Sequence, residues 1–294
     1  MDLAAVRQVR SFNRIVAERI GALNPRFLDR SRPMGESRLL WEVGPDGVEL
    51  RALRDRLGLD SGYLSRLLRS LERRRFVKVQ SDPDDRRVRR ACLTTAGLRE
   101  RGELDQRSDA LAAGILESLT DRQQRALTAA MAEVERLLQA SMVSFAAEDP
   151  ATEEARWCLA QYFAELDERF EAGFDPKLSI PADAAELRPP AGSLVIARLR
   201  GRPVGCGALK FHGKRPCELK RMWIAPVARG LGVGRRLLAE LEGQARAAGA
   251  RMVRLETNRA LREAIALYRS AGYREVAAFN DEPYAHYWFE KRLR

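Results

Sequence analysis

Apolar positions recur with two different periods along the chain. Over residues 3–23, Val6, Val9, Ile15 and Ile20 keep helical spacing. Further helices are predicted around 36–42, 50–57 and 61–75. In the last, Leu64, Leu67, Leu68 and Leu71 follow the i, i+3, i+4, i+7 rule and mark a buried face. A strand pair is predicted at 76–80 and 88–93, joined by the polar run SDPDDRR. Residues 97–119 and 121–146 read as two long helices, the second opened by a T-x-x-Q capping box at Thr120 and Gln123. The acidic run AEDPATEE at 147–154, with Pro150, reads as a linker. The period then changes. After an aromatic-rich helix at 155–172, short apolar runs at 193–199, 203–211, 217–224 and 252–257 read as strands. Helices are predicted at 232–247 and 259–271, and final strands at 273–278 and 284–290. A helical domain over 1–146 and an α/β domain over 155–294 are therefore expected.

Composition supports that division. The 294 residues suit two domains, and 45% hydrophobic with 32% charged residues is a globular balance. No apolar run approaches membrane-spanning length. The start, MDLAAVRQVRSFNR, lacks a basic-then-apolar leader, so a cytoplasmic location is expected. Cys92, Cys158, Cys206 and Cys217 are scattered without metal-ligand spacing, and there are two histidines, so no metal site is expected. The formal net charge is +11, and residues 51–90 alone hold 13 basic and 6 acidic side chains. Such a segment suits phosphate neutralisation, although a solvated arginine-rich face has the same composition.

The pattern inside that window favours a polyanion. Gly58 ends one helix and Asp60 or Ser61 caps the next, giving a helix-turn-helix. Opposite the leucine face lie Gly62, Ser65, Arg66, Arg69 and Arg73, with Ser61 and Tyr63 near the helix start. Small, hydroxyl and guanidinium groups are what phosphate contact and major-groove reading require. The hairpin carries Arg86 and Arg87 near its tip. Arg87 suits the electronegative minor groove, Asp84 is expected to brace the turn, and Arg86 fits either role.

The run from Glu36 through Leu-Leu-Trp, this helix pair, DPDDRRVRRACLTTAG and the long helices after it resemble the MarR family of winged-helix repressors, over residues 1–146. The resemblance implies a mainly α winged helix-turn-helix fold. It also implies a homodimer through 3–23 and 97–146, and a pseudo-palindromic double-stranded DNA operator, hence an association with the nucleoid.

In the second half, a strand ending near Ile224 leads into Arg229-Gly230-Leu231-Gly232-Val233-Gly234-Arg235 and at once into a helix. Glycines that turn tightly before a helix start bring unpaired amides and the positive dipole end to an anion. A P-loop would need Lys-Ser or Lys-Thr after its last glycine, but Arg235-Arg236 follow Gly234. A dinucleotide fingerprint would open the first βα unit, and here several strands come first.

The spacing instead matches Q/R-x-x-G-x-G/A. With Glu218 to Pro226 before it, and LETN at 255–258, AIALYRSAGY at 264–273 and YAHYWFEKRL after it, residues 155–294 resemble the GNAT N-acetyltransferases. The resemblance implies an α/β acyl-CoA N-acyltransferase fold whose central strands splay to admit acetyl-CoA. By it, Met222, Trp223 and Ile224 bond the pantetheine, the amides of 229–235 hold the pyrophosphate, Arg229 or Arg235 adds charge, and Asn258 contacts the cofactor. Tyr268 would protonate the leaving thiolate. Histone-type members carry a Glu at the offset of Glu218, expected here to act as base through water. By strand alternation Glu218, Lys220, Met222 and Ile224 would share one face. Glu218 also reads as a strand-start residue paired with an arginine, and Tyr268 as a helix residue packed on Leu261 and Ile265. Residues 157–176 offer Tyr162, Phe163, Phe170 and Phe174 beside Glu165, Asp167, Glu168 and Asp175, which suits a cationic amine and equally an amphipathic helix.

The expectation is thus a DNA-binding regulator joined to an acetyl-CoA-dependent N-acetyltransferase for an amine, a small molecule before a protein lysine. The alternatives are a regulator whose second domain only senses CoA or acyl-CoA, and an enzyme whose first domain only dimerises.

Overall fold

The computed structural model describes residues 2–82, 85–213 and 216–293. The chain divides into two units, Met1–Met131 and Ala132–Arg294.

The first unit holds α1 (Leu3–Arg19), α2 (Met34–Val43), β1 (Val48–Glu49), α3 (Leu50–Leu57), α4 (Ser61–Arg73), β2 (Val77–Ser81), β3 (Arg89–Leu93) and α5 (Thr95–Glu117). The next helix, α6 (Asp121–Ser141), begins in it. Its core is the leucine set the periodicity marked, Leu53, Leu64, Leu67, Leu68 and Leu71, joined by Leu39, Leu40, Val43 and Leu104. Gly58 takes a left-handed conformation (φ +63°) that ends α3, and Asp60 caps α4 by accepting the amide of Tyr63 at 2.8 Å. β2 and β3 pair from Val77–Leu93 to Ser81–Arg89, and β1, which periodicity did not reveal, adds a third strand on β3. Asp84 lies outside the described residues.

A buried ionic knot ties this unit. The carboxylate of Glu100 on α5 accepts hydrogen bonds from Arg30 and Arg32, which precede α2. Arg32 is 2% and Glu100 7% exposed at the side chain. Burial works to raise the Glu100 pKa, but the two guanidinium groups outweigh it and hold the carboxyl below its ordinary range. By contrast α1 buries nothing: Leu3, Val9, Phe12 and Ile15 are all exposed.

The entry to the second unit differs from the sequence reading. The helix expected to reach 146 stops at Ser141, and β4 (Val143–Glu148) follows, paired with β5 (Gly192–Leu199) over its whole length. Part of the expected linker is therefore a sheet strand. Leu138, Met142 and Phe145 continue a helical spacing, while Val143 and Phe145 satisfy a strand alternation just as well. Sheet pairing decides between the two.

The second unit continues with α7 (Glu153–Arg169), β6 (Arg202–Lys210), β7 (Cys217–Ile224), α8 (Val233–Ala247), β8 (Met252–Thr257), α9 (Arg262–Ser270), β9 (Arg274–Val276) and β10 (Tyr287–Arg292). Its seven strands run in the order β4-β5-β6-β7-β8-β10-β9. β7 and β8 are parallel, and every other neighbouring pair is antiparallel. One face packs Cys158 of α7 with Ile196, Cys206, Ala208 and Trp223. The other packs Leu237, Leu238 and Leu241 of α8 with Leu219, Leu255, Tyr268 and Phe289. All four cysteines are free. Among the described residues, no helix is long and apolar enough to cross a membrane.

Glu100→Ala strands two guanidinium groups, one of them almost fully buried. The expected loss is about 3–5 kcal/mol, read as a lower urea midpoint for the full chain. An unchanged midpoint would mean that the knot contributes nothing.

Candidate functional site

The pairing of β7 with β8 stops almost as soon as it starts. Cys217 pairs with Val253 and Glu218 with Arg254, and beyond that point no pairs form. The cause lies on the other edge of β7. The register with β6 shifts between Cys206 and Ala208, so β7 carries an extra residue there, and Arg221 sits at φ +56°. A bulge of this kind bends its strand and reverses the side-chain alternation. Before it, Cys217 and Leu219 face the α8 and α9 core. After it, Met222 faces that core and Trp223 the α7 side. Glu218 and Lys220 therefore fall on the opposite face from Met222, contrary to the simple alternation.

The divergence opens a cleft of about 420 Å³. Met222, Trp223 and Ile224 line one side, Leu261, Ala264, Leu267 and Tyr268 the other, and Gly230, Gly232, Val233, Gly234 and Arg235 the end. Gly230 and Gly232 have φ of +75° and +72°, where a Cβ is strained. Leu231 turns its side chain into the core, 8% exposed. The amide of Arg236 bonds to the carbonyl of Gly232, but the amides of 230–235 meet no acceptor among the described residues. These free donors at the start of α8 form an anion cradle.

The arginines beside the cradle are already engaged. Arg229 donates to the Ile224 carbonyl at 3.0 Å and pairs with Glu165 of α7. Glu165 also accepts from Trp223 Nε1 at 2.8 Å and from Arg169 at 3.1 Å, so one carboxylate ties α7 to β7 and the loop. Arg235 donates to Ser270 Oγ at 2.7 Å. Arg136, in the part of α6 that belongs to this unit, donates to the Gly230 carbonyl at 2.7 Å. The sequence offered Glu165 as an amine-binding group, and its role as a brace depends on a loop sixty residues away.

A second, smaller cavity adjoins the first and shares Tyr162, Met222 and Tyr268 with it. Phe170, Phe174 and Tyr284 give it aromatic walls, and Lys220, Arg221, Glu256 and Glu282 bring charge. Tyr268 is 6% exposed, and burial first, then the neighbouring Tyr162 and Glu256, push its phenol well above the usual range. Burial likewise pushes Tyr162 up to about 12. Asn258 bonds the Tyr284 carbonyl at 2.7 Å and the Ala260 amide at 2.9 Å, lining this second cavity and not the first.

Glu218 lines neither cavity. It accepts from Arg254 at 2.7 Å and lies 3.5 Å from Lys220 Nζ and 3.4 Å from His212 Nε2. Burial alone would raise its pKa, but Arg254, Lys220 and His212 together hold it below the ordinary range. Lys220 also pairs with Glu256, making a ladder of alternating charge that ends in the second cavity. Glu256 follows Leu255 in the LETN motif, and no spacing rule singled it out. Its significance comes from the bulge in β7, beyond which β7 leaves β8, and from the cavity that Glu256 lines together with Tyr268.

In the first unit, Ser61, Gly62, Tyr63, Ser65, Arg66, Arg69 and Arg73 share the exposed face of α4, and Arg86 and Arg87 are exposed beside the hairpin tip. Ser65 donates to the Ser61 carbonyl at 2.7 Å, Arg69 to the Ser65 carbonyl at 3.3 Å, and Arg66 lies over the Tyr63 ring. None of these five arginines forms an ion pair among the described residues, whereas Arg30, Arg32, Arg56 and Arg74 do.

Comparison with known proteins agrees with both halves. A family model described as the acetyltransferase (GNAT) family matches residues 154–273, and one described as the MarR family matches 29–88. The chain is 35% identical over 138 residues to the IAA acetyltransferase of Azospirillum brasilense, covering 47% of this chain and 88% of that protein. It is 37% identical over 120 residues to the N-alpha-acetyltransferase RimI of Mycobacterium tuberculosis, covering 40% and 73%. Among solved structures, a GNAT family acetyltransferase from Elizabethkingia anophelis with acetyl-CoA bound aligns over 52% of this chain and 99% of its own, at 15% identity and a TM-score of 0.38.

The Glu218 geometry has a signed consequence. A carboxyl whose folded pKa lies below its unfolded value stabilises above the unfolded value, and that stability fades as pH falls through the folded one. Glu218→Gln should therefore cost about 1.5–3 kcal/mol at pH 7, with the gap to wild type closing as pH drops below 4.5. Thermal unfolding of both proteins across that range checks it; a gap that widens in acid would refute the assignment.

Proposed function

Since the chain belongs to the GNAT acetyltransferases and carries a MarR family domain ahead of that fold, we propose that it transfers the acetyl group of acetyl-CoA to a small amine and binds operator DNA as a homodimer. The observation that carries the enzymatic reading is the cradle: the amides of 230–235, which meet no acceptor among the described residues, stand in the cleft that Tyr268 also lines. These residues suit acetyl-CoA. The amides would hold the pyrophosphate, and the edges of Met222, Trp223 and Ile224, unpaired on the β8 side, would bond the pantetheine.

When bound, acetyl-CoA supplies the activated acyl group. The residues of the chain do the rest. An ammonium must lose a proton before it can attack, so a base has to stand in the acceptor cavity. Glu256 lines that cavity and Glu218 does not, so we assign Glu256 this role and give Glu218 to the ion-pair ladder. Glu256 would take the proton directly or through one water. Tyr268 borders both cavities and keeps its proton, which suits it to protonate the departing thiolate. Asn258 would act indirectly, by holding the 258–260 turn and the Tyr284 carbonyl.

For the first domain, support comes from the exposed guanidinium groups of Arg66, Arg69 and Arg73 on α4 and of Arg86 and Arg87 beside the hairpin, which form no ion pair among the described residues. α4 would lie in a major groove, with Ser61, Gly62, Tyr63 and Ser65 at its leading end. The exposed apolar residues of α1 support dimerisation there.

Two assays test the proposal. Glu256→Gln should lower kcat for thiol release from acetyl-CoA about 10²–10⁴-fold at unchanged CoA affinity, whereas Glu218→Gln should retain most of its kcat; the reverse ranking would restore Glu218 as base. In gel shifts on the DNA upstream of its own coding region, Arg69→Ala and Arg87→Ala should weaken binding and flatten its dependence on salt. Equal, salt-insensitive binding by mutants and wild type would remove the DNA reading.

A further inference from the structure

Two cations line the acceptor cavity, Lys220 and Arg221. Lys220 pairs with Glu256 and Glu218. Arg221 lines the same cavity and meets no carboxylate among the described residues. Its guanidinium is fixed instead against aromatic faces, 4.7 Å from the Phe163 ring centroid and 5.7 Å from that of Tyr162. Ring faces and a hydrogen bond with the Tyr162 phenol hold the guanidinium in place, and its five N–H groups leave others to donate. The backbone at this residue is in the left-handed region, sparsely populated for any side chain but glycine, and such conformations persist where the surroundings impose them.

Two buried carboxylates line the same cavity. Glu256 ends the charge ladder. Glu282, 8% exposed, accepts from Ser179 Oγ at 2.9 Å and from the Ile180 amide at 2.7 Å, which fixes its orientation. A ligand filling this space meets the Arg221 guanidinium, the carboxylates of Glu256 and Glu282 and the rings of Phe170, Phe174 and Tyr284.

We propose that the acceptor is a free amino acid or a close relative, whose carboxylate is bound by Arg221 while its amine lies toward Glu256 and Tyr268. This rests on the acetyltransferase reading and narrows it. A planar guanidinium pairs with a carboxylate through two parallel hydrogen bonds, which fixes the distance from that carboxylate to the amine. A protein lysine, whose backbone carboxyl is consumed in a peptide bond, offers Arg221 no anion. A simple alkylamine leaves it equally unmet.

The test uses the full chain with saturating acetyl-CoA and matched acceptors: free amino acids with aromatic, aliphatic and short side chains, each beside its carboxamide and its decarboxylated amine. The expected result is a preference for free acids of at least tenfold in kcat/KM, carried mainly by KM. In Arg221→Gln the ratio of acid to carboxamide should fall toward one, and Arg221→Lys should restore part of it. Equal or faster turnover of carboxamides by wild type would overturn the assignment while leaving the transferase reading intact. So would an acid-to-carboxamide ratio unmoved in Arg221→Gln. Release of CoA with none of these or any other amine, in a protein that binds CoA, would defeat the transferase reading itself. Should Arg221→Gln fail to fold, the wild-type ratio still decides.

Discussion

One extra residue in β7 shapes everything around it. The bulge at Arg221 bends the strand away from β8 just after the Glu218–Arg254 pair. The departure leaves backbone edges unpaired in the middle of a seven-stranded sheet, an arrangement that normally costs free energy unless a ligand or a side chain meets those groups. It also exchanges the two faces of the strand. Without it, Glu218 would point where Met222 points, and the cleft, the second cavity and the charge ladder would not exist in their present form.

The second constraint is the way the glycine loop is held. Its amides must face outward together, and glycine permits the two positive φ values this requires. Permissiveness alone gives a floppy turn. Rigidity comes from outside the loop: Glu165 holds Arg229, and Arg136 and Arg235 fasten the loop and the first turn of α8 to their surroundings. The arginines that sequence reasoning offered to the diphosphate are largely occupied as struts. The positive field at the cradle then comes chiefly from main-chain dipoles, which need no reorganisation when an anion arrives.

Most of the architecture was legible because it rests on local rules. The leucine spacing of α4, its Asp60 cap and the Thr120–Gln123 box all appear where periodicity and capping chemistry put them. The glycine loop before α8 is equally local. What sequence could not convey was register. Residues 142–148 satisfy helix and strand spacing alike, so the first strand of the large sheet was hidden at the end of a helix and in an apparent linker. The bulge is also invisible, since nothing in CELKRMWI marks the residue at which alternation reverses. Alternation, together with the resemblance to histone-type members, put Glu218 on the Met222 face; in the structure Glu218 lines neither cavity, while Glu256 and Arg221 line the second.

The first unit is organised on a different principle. Its core is a leucine-rich cluster; Arg30 and Arg32 inside the fold are paired with Glu100, whereas Arg66, Arg69 and Arg73 on the outer face of α4 form no ion pair among the described residues. Both halves thus present unsatisfied donors to an anion, through side chains in one and through main chain in the other. Hydrogen exchange on the full chain with and without acetyl-CoA tests the central claim most directly. The account predicts that acetyl-CoA slows exchange at the amides of 230–235 and along the β8-facing edge of residues 222–224. Protection confined to other segments, or none at saturating ligand, would contradict it.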